Sequence, residues 1–239
     1  MPFLFWPTER QQIQLLFKSM GDSIRQFFYQ LFESVKPVDL YLFKKINQEW
    51  TASWADTWLP ILTDLHKTNW FFYVLPALLF LVLFKKFKVH TVTILLGLIL
   101  CLAINDWSGA KVKRNIPRPR PFQVTQTTAA VQKSPAGENN SFYSNHASNN
   151  FAAAAYLSFF MPVLSWVFFP IAFLIGYSRI YNGVHYPSDV LIGALMGLIW
   201  GQALSHFASR FIAAELRKRV MKEHLEEQTS AMKKNLRPD

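Results

Sequence analysis

The chain has 239 residues, of which 51% are hydrophobic, 16% aromatic and only 17% charged. A soluble domain carries about 25% charged residues, so one unusually apolar soluble domain or one membrane domain remains. The net charge of +10 would suit nucleic acid, but much of it flanks apolar blocks or lies near residue 115, which points instead to membrane surface and phosphate groups as partners.

Residues 9–35 place Ile13, Leu16, Phe17, Met20, Ile24, Phe27, Phe28, Leu31 and Phe32 at helical spacing, interrupted by Lys18, Asp22, Arg25 and Glu33. That pattern predicts an amphipathic helix lying along the bilayer or on the bundle, ended by Pro37. Residues 1–37 are thus expected as an N-terminal interfacial segment, and 38–66 as two short Trp-rich amphipathic helices. No secretory signal peptide is evident, since the first strong apolar run begins near residue 70.

Five spans follow, at about 68–85, 89–108, 147–161, 163–179 and 188–209, with no charged residue from Phe151 to Tyr177. Spanning helices need roughly 20 mostly apolar residues, and Trp70, Trp107, Tyr177 and Tyr186 at block ends resemble an interfacial belt. Pro162 is the expected turn between spans three and four. Cys101 lies inside an apolar block and reads as a small core residue. The predicted fold is an all-α integral-membrane helical bundle of about five transmembrane helices, six if the N-terminal helix also spans, with added interfacial helices. Its membrane domain runs over 38–212 and the charged tail over 213–239.

Between spans two and three lies a polar loop, 109–146, whose stretch 123–141 has no clear period and reads as flexible. Lys85, Lys86 and Lys88 join spans one and two, and Arg210, Arg217, Lys218 and Arg219 follow span five. Basic loops face the cytoplasm, so loop 109–146 is expected on the outer face. It too is basic, which requires those charges to have a task.

Three polar clusters sit on that face. The first, residues 111–121, holds Lys111, Lys113, Arg114, Arg118 and Arg120. Such cations can be snorkelling anchors, but Arg118 and Arg120 each precede a proline, which holds the chain extended; Arg also suits bidentate phosphate binding. The second is Ser141-Phe-Tyr-Ser-Asn-His-Ala-Ser148 and the third Tyr177-Ser-Arg-Ile-Tyr-Asn-Gly-Val-His-Tyr-Pro-Ser-Asp189. His66, His90, His206 and His224 read as structural. His185 differs, because Pro187 can open the next helix and Asp189 in its first turn can reach back. A carboxylate on one imidazole nitrogen fixes the tautomer and leaves the other free to attack. Spans three and four cross and return, so all three clusters share one face. The second and third also precede helix starts, which favour anions.

These residues resemble the type-2 phosphatidic acid phosphatase superfamily. Its pattern is Lys-x6-Arg-Pro, then Pro-Ser-Gly-His, then Ser-Arg-x5-His-x3-Asp. Ser178, Arg179, His185 and Asp189 match the third part in full. The first part fits in two frames, Lys111 with Arg118 or Lys113 with Arg120; members with an Arg-Pro-Arg-Pro run generally use the second arginine, which selects Lys113 and Arg120. The second part keeps Ser144 and His146, with Tyr143 for the proline and Asn145 for the glycine.

The resemblance covers roughly 38–209 and implies a hydrolase for the phosphate or diphosphate of a membrane lipid. In it His185 is the nucleophile, forming a phosphohistidine, and Asp189 orients it. His146 protonates the leaving group and then activates water. Lys113, Arg120, Ser144, Asn145 and Arg179 bind the phosphoryl oxygens. No metal or cofactor is implied. The partners expected are a lipid phosphate and the bilayer, not nucleic acid, with the oligomeric state open. The expected location is a bacterial inner membrane, with the site facing outward. A phosphohistidine would also permit transfer to another lipid acceptor, and loss of catalysis would leave a lipid-binding protein.

Overall fold

The computed structural model of the chain describes residues 9–124, 129–137 and 140–235. Among these, seven α-helices follow in order: α1 Glu9–Lys44, α2 Ser53–Asp64, α3 Asn69–Phe87, α4 Thr91–Asn115, α5 Asn145–Phe160, α6 Ser165–Tyr181 and α7 Pro187–Asn235. No strand occurs among the described residues. The fold is the all-α membrane bundle expected.

Among the described residues, three stretches are long and apolar enough to cross a bilayer: Tyr73–Asn115, Pro162–Tyr181 and Pro187–Thr229. The first contains both α3 and α4, broken at Lys88, whose φ of 48° turns the chain. Leu79 and Leu83 of α3 pack in one cluster with Ile94 and Leu98 of α4, so the two helices form a hairpin. Leu78, Phe84, Leu96, Ile99, Val167, Phe173, Leu191 and Ile199 stay exposed. An exposed apolar surface of this extent marks contact with lipid.

The predicted span 147–161 is α5, with 16 residues, about 24 Å long at 1.5 Å per residue. At that length it falls outside the three apolar stretches, and its place is central: Ala152, Ala154, Ala155 and Tyr156 are buried against neighbouring helices. Its closest neighbour is α7. A Cβ added at Gly193, Gly197 or Gly201 would come within 2.6, 2.2 and 2.6 Å of the carbonyl oxygens of Ser144, Ser148 and Ala152. Glycine at every fourth position therefore lets the two backbones touch, as small residues do between membrane helices. Met161 and Pro162 turn the chain back into α6, as expected.

The structure departs from the sequence reading at two places. Pro37 does not end α1, which continues through it to Lys44. Proline removes one backbone hydrogen bond, but Asp39 and Phe43, just beyond, are buried and anchored in the bundle, and tertiary contact outweighs the lost bond. Residues 38–66 therefore hold the end of α1, a π-turn at Lys45–Glu49 and only one separate helix, α2. The predicted span 188–209 is the first part of α7, which is continuous for 49 residues. At about 74 Å it exceeds the ~30 Å hydrocarbon layer, and its charged end simply leaves the bundle as helix.

The other departure is the stretch read as flexible. Of it, residues 125–128 and 138–139 lie outside the described residues. The remainder is pinned. Asn47 donates to the carbonyls of Val131 and Tyr181 at 2.9 and 2.8 Å and accepts from the Val131 amide at 2.9 Å. Lys133 pairs with Asp56 at 2.7 Å, and its backbone N–H donates to Asn182 at 3.0 Å. Gly183 has φ +77°, and a Cβ there would meet the Val131 carbonyl at 2.4 Å, so glycine alone fits this junction. Hydrogen bonds from a distant asparagine replaced the missing periodicity. The side chain of His66 lies outside the described residues; Cys101 is fully buried in the core.

Candidate active site

The centre of the site is the turn between α6 and α7. Pro187 opens α7, where its fixed φ suits the first turn. That start puts Asp189 in position to accept from the Tyr186 backbone N–H at 2.9 Å through Oδ2. The same oxygen lies 3.5 Å from His185 Nδ1 and accepts the Ser141 hydroxyl, whose oxygen stands 3.4 Å from that Nδ1. Asp189 Oδ1 accepts from Arg118. The carboxylate, fully buried, is thus held by donors on both oxygens, as a buried charge requires.

His185 is 2% exposed. Its Nε2 lies 3.2 Å from Arg120 Nη1. A guanidinium has only donors, so Nε2 is the acceptor and Nδ1 carries the hydrogen, facing Asp189 and Ser141. Burial pushes the imidazole down to about 3, against the raising influence of Asp189. His185 is therefore neutral near pH 7, with the lone pair on Nε2 directed to the cationic side. Arg120 is itself aimed by donation to the Val184 carbonyl at 3.0 Å.

That side is a cavity of about 620 Å³ lined by Lys113, Arg114, Arg120, Arg179, Lys67, His146 and His185, with Asp64 the carboxylate in the lining. The two histidines, 39 positions apart in the chain, thus share one space, which requires α5 and α6 to run out and back. Arg179 reaches it from the end of α6. Its Nη1 donates to Thr63 at 2.9 Å, and its Nε is buried without a protein partner. Lys113 donates from the last turn of α4 to the carbonyls of Asn140, at 3.3 Å, and Ser141, at 3.2 Å, and to that of Tyr143. It therefore also holds the second cluster in place.

The two frames of the first cluster separate in space. Lys111 is exposed, 5.7 Å from the Trp107 ring centre, and neither it nor Arg118 lines the cavity. Arg118 instead joins Asp189 to Asp39 of α1, at 2.5 Å from Asp39 Oδ2. Its guanidinium lies between the rings of Phe32 and Tyr186, 4.4 and 4.3 Å from their centres. The two carboxylates raise its pKa against the lowering effect of burial.

Ser144 caps α5, accepting from the Ala147 amide at 3.4 Å, while its own amide donates to the Asp189 carbonyl at 3.0 Å. It is buried beside the cavity, not among its lining residues. Asn145 does line it, and its amide donates to Asp106 at 3.2 Å. Gly109 on α4 makes room for this larger residue, since a Cβ there would lie 2.7 Å from Asn145 Oδ1. Tyr143, in the place of the pattern's proline, is buried with its hydroxyl 3.2 Å from Ser108.

Sequence reasoning gave no role to Asp39, Thr63 or Ser141. Ser141 was within reach, as the first residue of the second cluster. Asp39 and Thr63 carry no local signal; they matter through contacts 79 and 116 positions away. His206 packs against Phe159 with ring centres 4.8 Å apart, and His224 bonds Gln228 within α7 at 3.0 Å; neither lines the cavity, and nor does His90.

Comparison with known proteins places this arrangement. Residues 90–213 match the family model of the PAP2 superfamily. The chain is 29% identical over 157 residues to an undecaprenyl-diphosphatase of Sulfolobus acidocaldarius, covering 65% of this chain and 71% of that one. Over 61 residues it is 41% identical to the bacitracin transport permease protein BcrC of Bacillus licheniformis; this match spans 26% of the chain and only 30% of that relative. The crystal structure of a transmembrane PAP2 type phosphatidylglycerolphosphate phosphatase from Bacillus subtilis superposes with a TM-score of 0.59 at 22% identity, over 80% of this chain and 96% of that one. At that identity it shares the fold.

Proposed function

The chain belongs to the PAP2 superfamily, and on that premise we propose that it releases phosphate from a membrane lipid phosphate through a phosphohistidine on His185. The observation that carries this reading is the buried imidazole whose Nε2 meets Arg120 at 3.2 Å in a cavity lined by cations. Phosphoryl transfer needs positioning and charge stabilisation more than covalent help.

In the first step Nε2 attacks phosphorus, the N–P bond forms and the P–O bond to the lipid breaks. Electron density passes to the leaving oxygen, and His146 gives it a proton. In the second step His146 takes a proton from water, the water oxygen attacks phosphorus, and the N–P bond breaks to return neutral His185. Asp189 balances the positive charge on the phosphorylated imidazole. Lys113, Arg120 and Arg179 hold the phosphoryl oxygens, Asn145 lies beside them, and Ser144 and its cap fix the start of α5 that carries His146. The reaction is metal-independent in this reading.

The exposed apolar surface and the apolar stretches support a site at headgroup depth. Lys85, Lys86 and Lys88 lie at the opposite end of the bundle, where Lys86 bonds the Phe160 carbonyl at 3.2 Å. Under the positive-inside rule the cavity then faces outward from a bacterial inner membrane.

The test is phosphate release by purified protein from a panel of lipid phosphates and diphosphates, with and without a chelator. A placed general acid gives ~10²–10⁴-fold in rate, so His146→Ala should lose about that much and His185→Ala at least as much, while chelation changes little. Near-normal release by either variant would defeat the assignment.

A further inference from the structure

We infer that a second cavity, behind His146, is the leaving-group subsite, and that it selects phosphomonoesters of an uncharged polyol lipid, with a glycerol or sugar carrying the phosphate, over isoprenoid diphosphates. The inference rests on the reading of His146 as proton donor given above. The second cavity, about 580 Å³, shares Asn145 and His146 with the first as a common wall. The lipid oxygen must leave on the side of the group that protonates it, so the rest of the substrate extends into this second space.

The charges of the two spaces are opposite. The first is lined by Lys113, Arg120 and Arg179 among other cations. No lysine or arginine is among the lining residues of the second; its polar members include Asp106, Asn149 and Asn150. Asp106 is exposed to it, and its Oδ1 accepts from the amides of Asn145 and Asn149 at 3.2 and 2.9 Å. A hydroxyl can donate to this carboxylate, and the carboxamides can both donate and accept. A second phosphate would meet the like charge of Asp106 there, with no lysine or arginine in the lining to offset it.

The remaining wall is apolar, including Leu62, Leu65 and Ile175. Leu62 and Leu65 also line a third, almost wholly apolar groove beside Trp54 and Trp58. Both tryptophans are largely exposed, as at a membrane interface. A phosphate, a hydroxylated backbone and a hydrocarbon chain are thus accommodated in that order along α2, from Asp64 at its C-terminal end back towards Trp54.

The experiment compares kcat/KM for a glycerolipid phosphomonoester and a polyprenyl diphosphate, using the full chain in detergent, for wild type, Asp106→Asn and Asp106→Lys. Wild type should favour the monoester by at least tenfold. Asp106→Lys should shrink that ratio at least tenfold by gaining on the diphosphate, and Asp106→Asn severalfold while keeping an acceptor for both amides. Inhibition by inorganic phosphate, which needs only the first cavity, should stay within twofold and reports an intact fold. If Asp106→Lys fails that check, Asp106→Asn decides. A diphosphate preference in wild type, or a ratio unmoved by the variants, overturns the inference while phosphate release leaves the phosphatase reading standing. Absence of release from every lipid phosphate removes both.

Discussion

Two arginines separated by one proline do different work. Arg118 is buried between Asp39 and Asp189, whereas Arg120 touches the His185 nitrogen that faces the cavity. Removing one partner of a buried pair leaves an uncompensated charge, typically ~3–5 kcal/mol of stability. Arg118→Ala should therefore lower thermal stability sharply, while Arg120→Ala should leave unfolding nearly unchanged and cut phosphate release by ~10²–10³-fold, as for loss of one oxyanion donor. Parallel melting curves and rates check this; equal effects of the two variants would contradict it. The distinction was open in the sequence, since both frames of the lysine–arginine spacing fit. The His185–Asp189 pair was legible because its spacing is local. Ser141 and Asp39 gain their importance only when distant segments meet.

His185 gives a pH prediction of definite sign. Burial disfavours the charged imidazole, so its folded pKa, about 3, lies below the ordinary 6.5. Between those values the unfolded chain binds a proton that the folded chain does not, so stability falls as pH drops from about 6.5 towards about 3. Nitrogen-15 NMR of His185 in the free protein should show the neutral Nδ1–H tautomer from pH 8 to pH 5. An imidazolium signal appearing near pH 6.5 would contradict the geometry.

At the scale of elements, the α5–α7 contact holds the site together, because α5 carries His146 and α7 carries Asp189. Gly197 faces the Ser148 carbonyl with no room for a Cβ, at 2.2 Å. Overpacking of a tight core costs ~1–3 kcal/mol or more, so Gly197→Leu should lower stability and phosphate release together, while Leu at the exposed Ile199 position should be neutral in a thermal-shift assay. Apolar blocks made the helices legible, and Pro162 made the turn between α5 and α6 legible. Pro37 misled, because burial of Asp39 and Phe43 beyond it outweighs one lost hydrogen bond. The 129–137 stretch misled too, since its order comes from Asn47 and Asp56 and not from its own pattern.

For the whole molecule, the bundle's task is convergence. The end of α4, the start of α5, the end of α6 and the start of α7 meet at one end, and α1 and α2 close it with Asp39 and Thr63. Cations and two imidazoles share that end, while the basic α3–α4 link sits at the other. The most direct test is to quench turnover of a radiolabelled lipid phosphate with denaturant and locate the protein-bound phosphate. The account predicts an acid-labile, alkali-stable phosphate on the peptide containing His185, absent from His185→Ala. Turnover by the wild-type chain with the trapped phosphate on another residue, or with label persisting in His185→Ala, would contradict it.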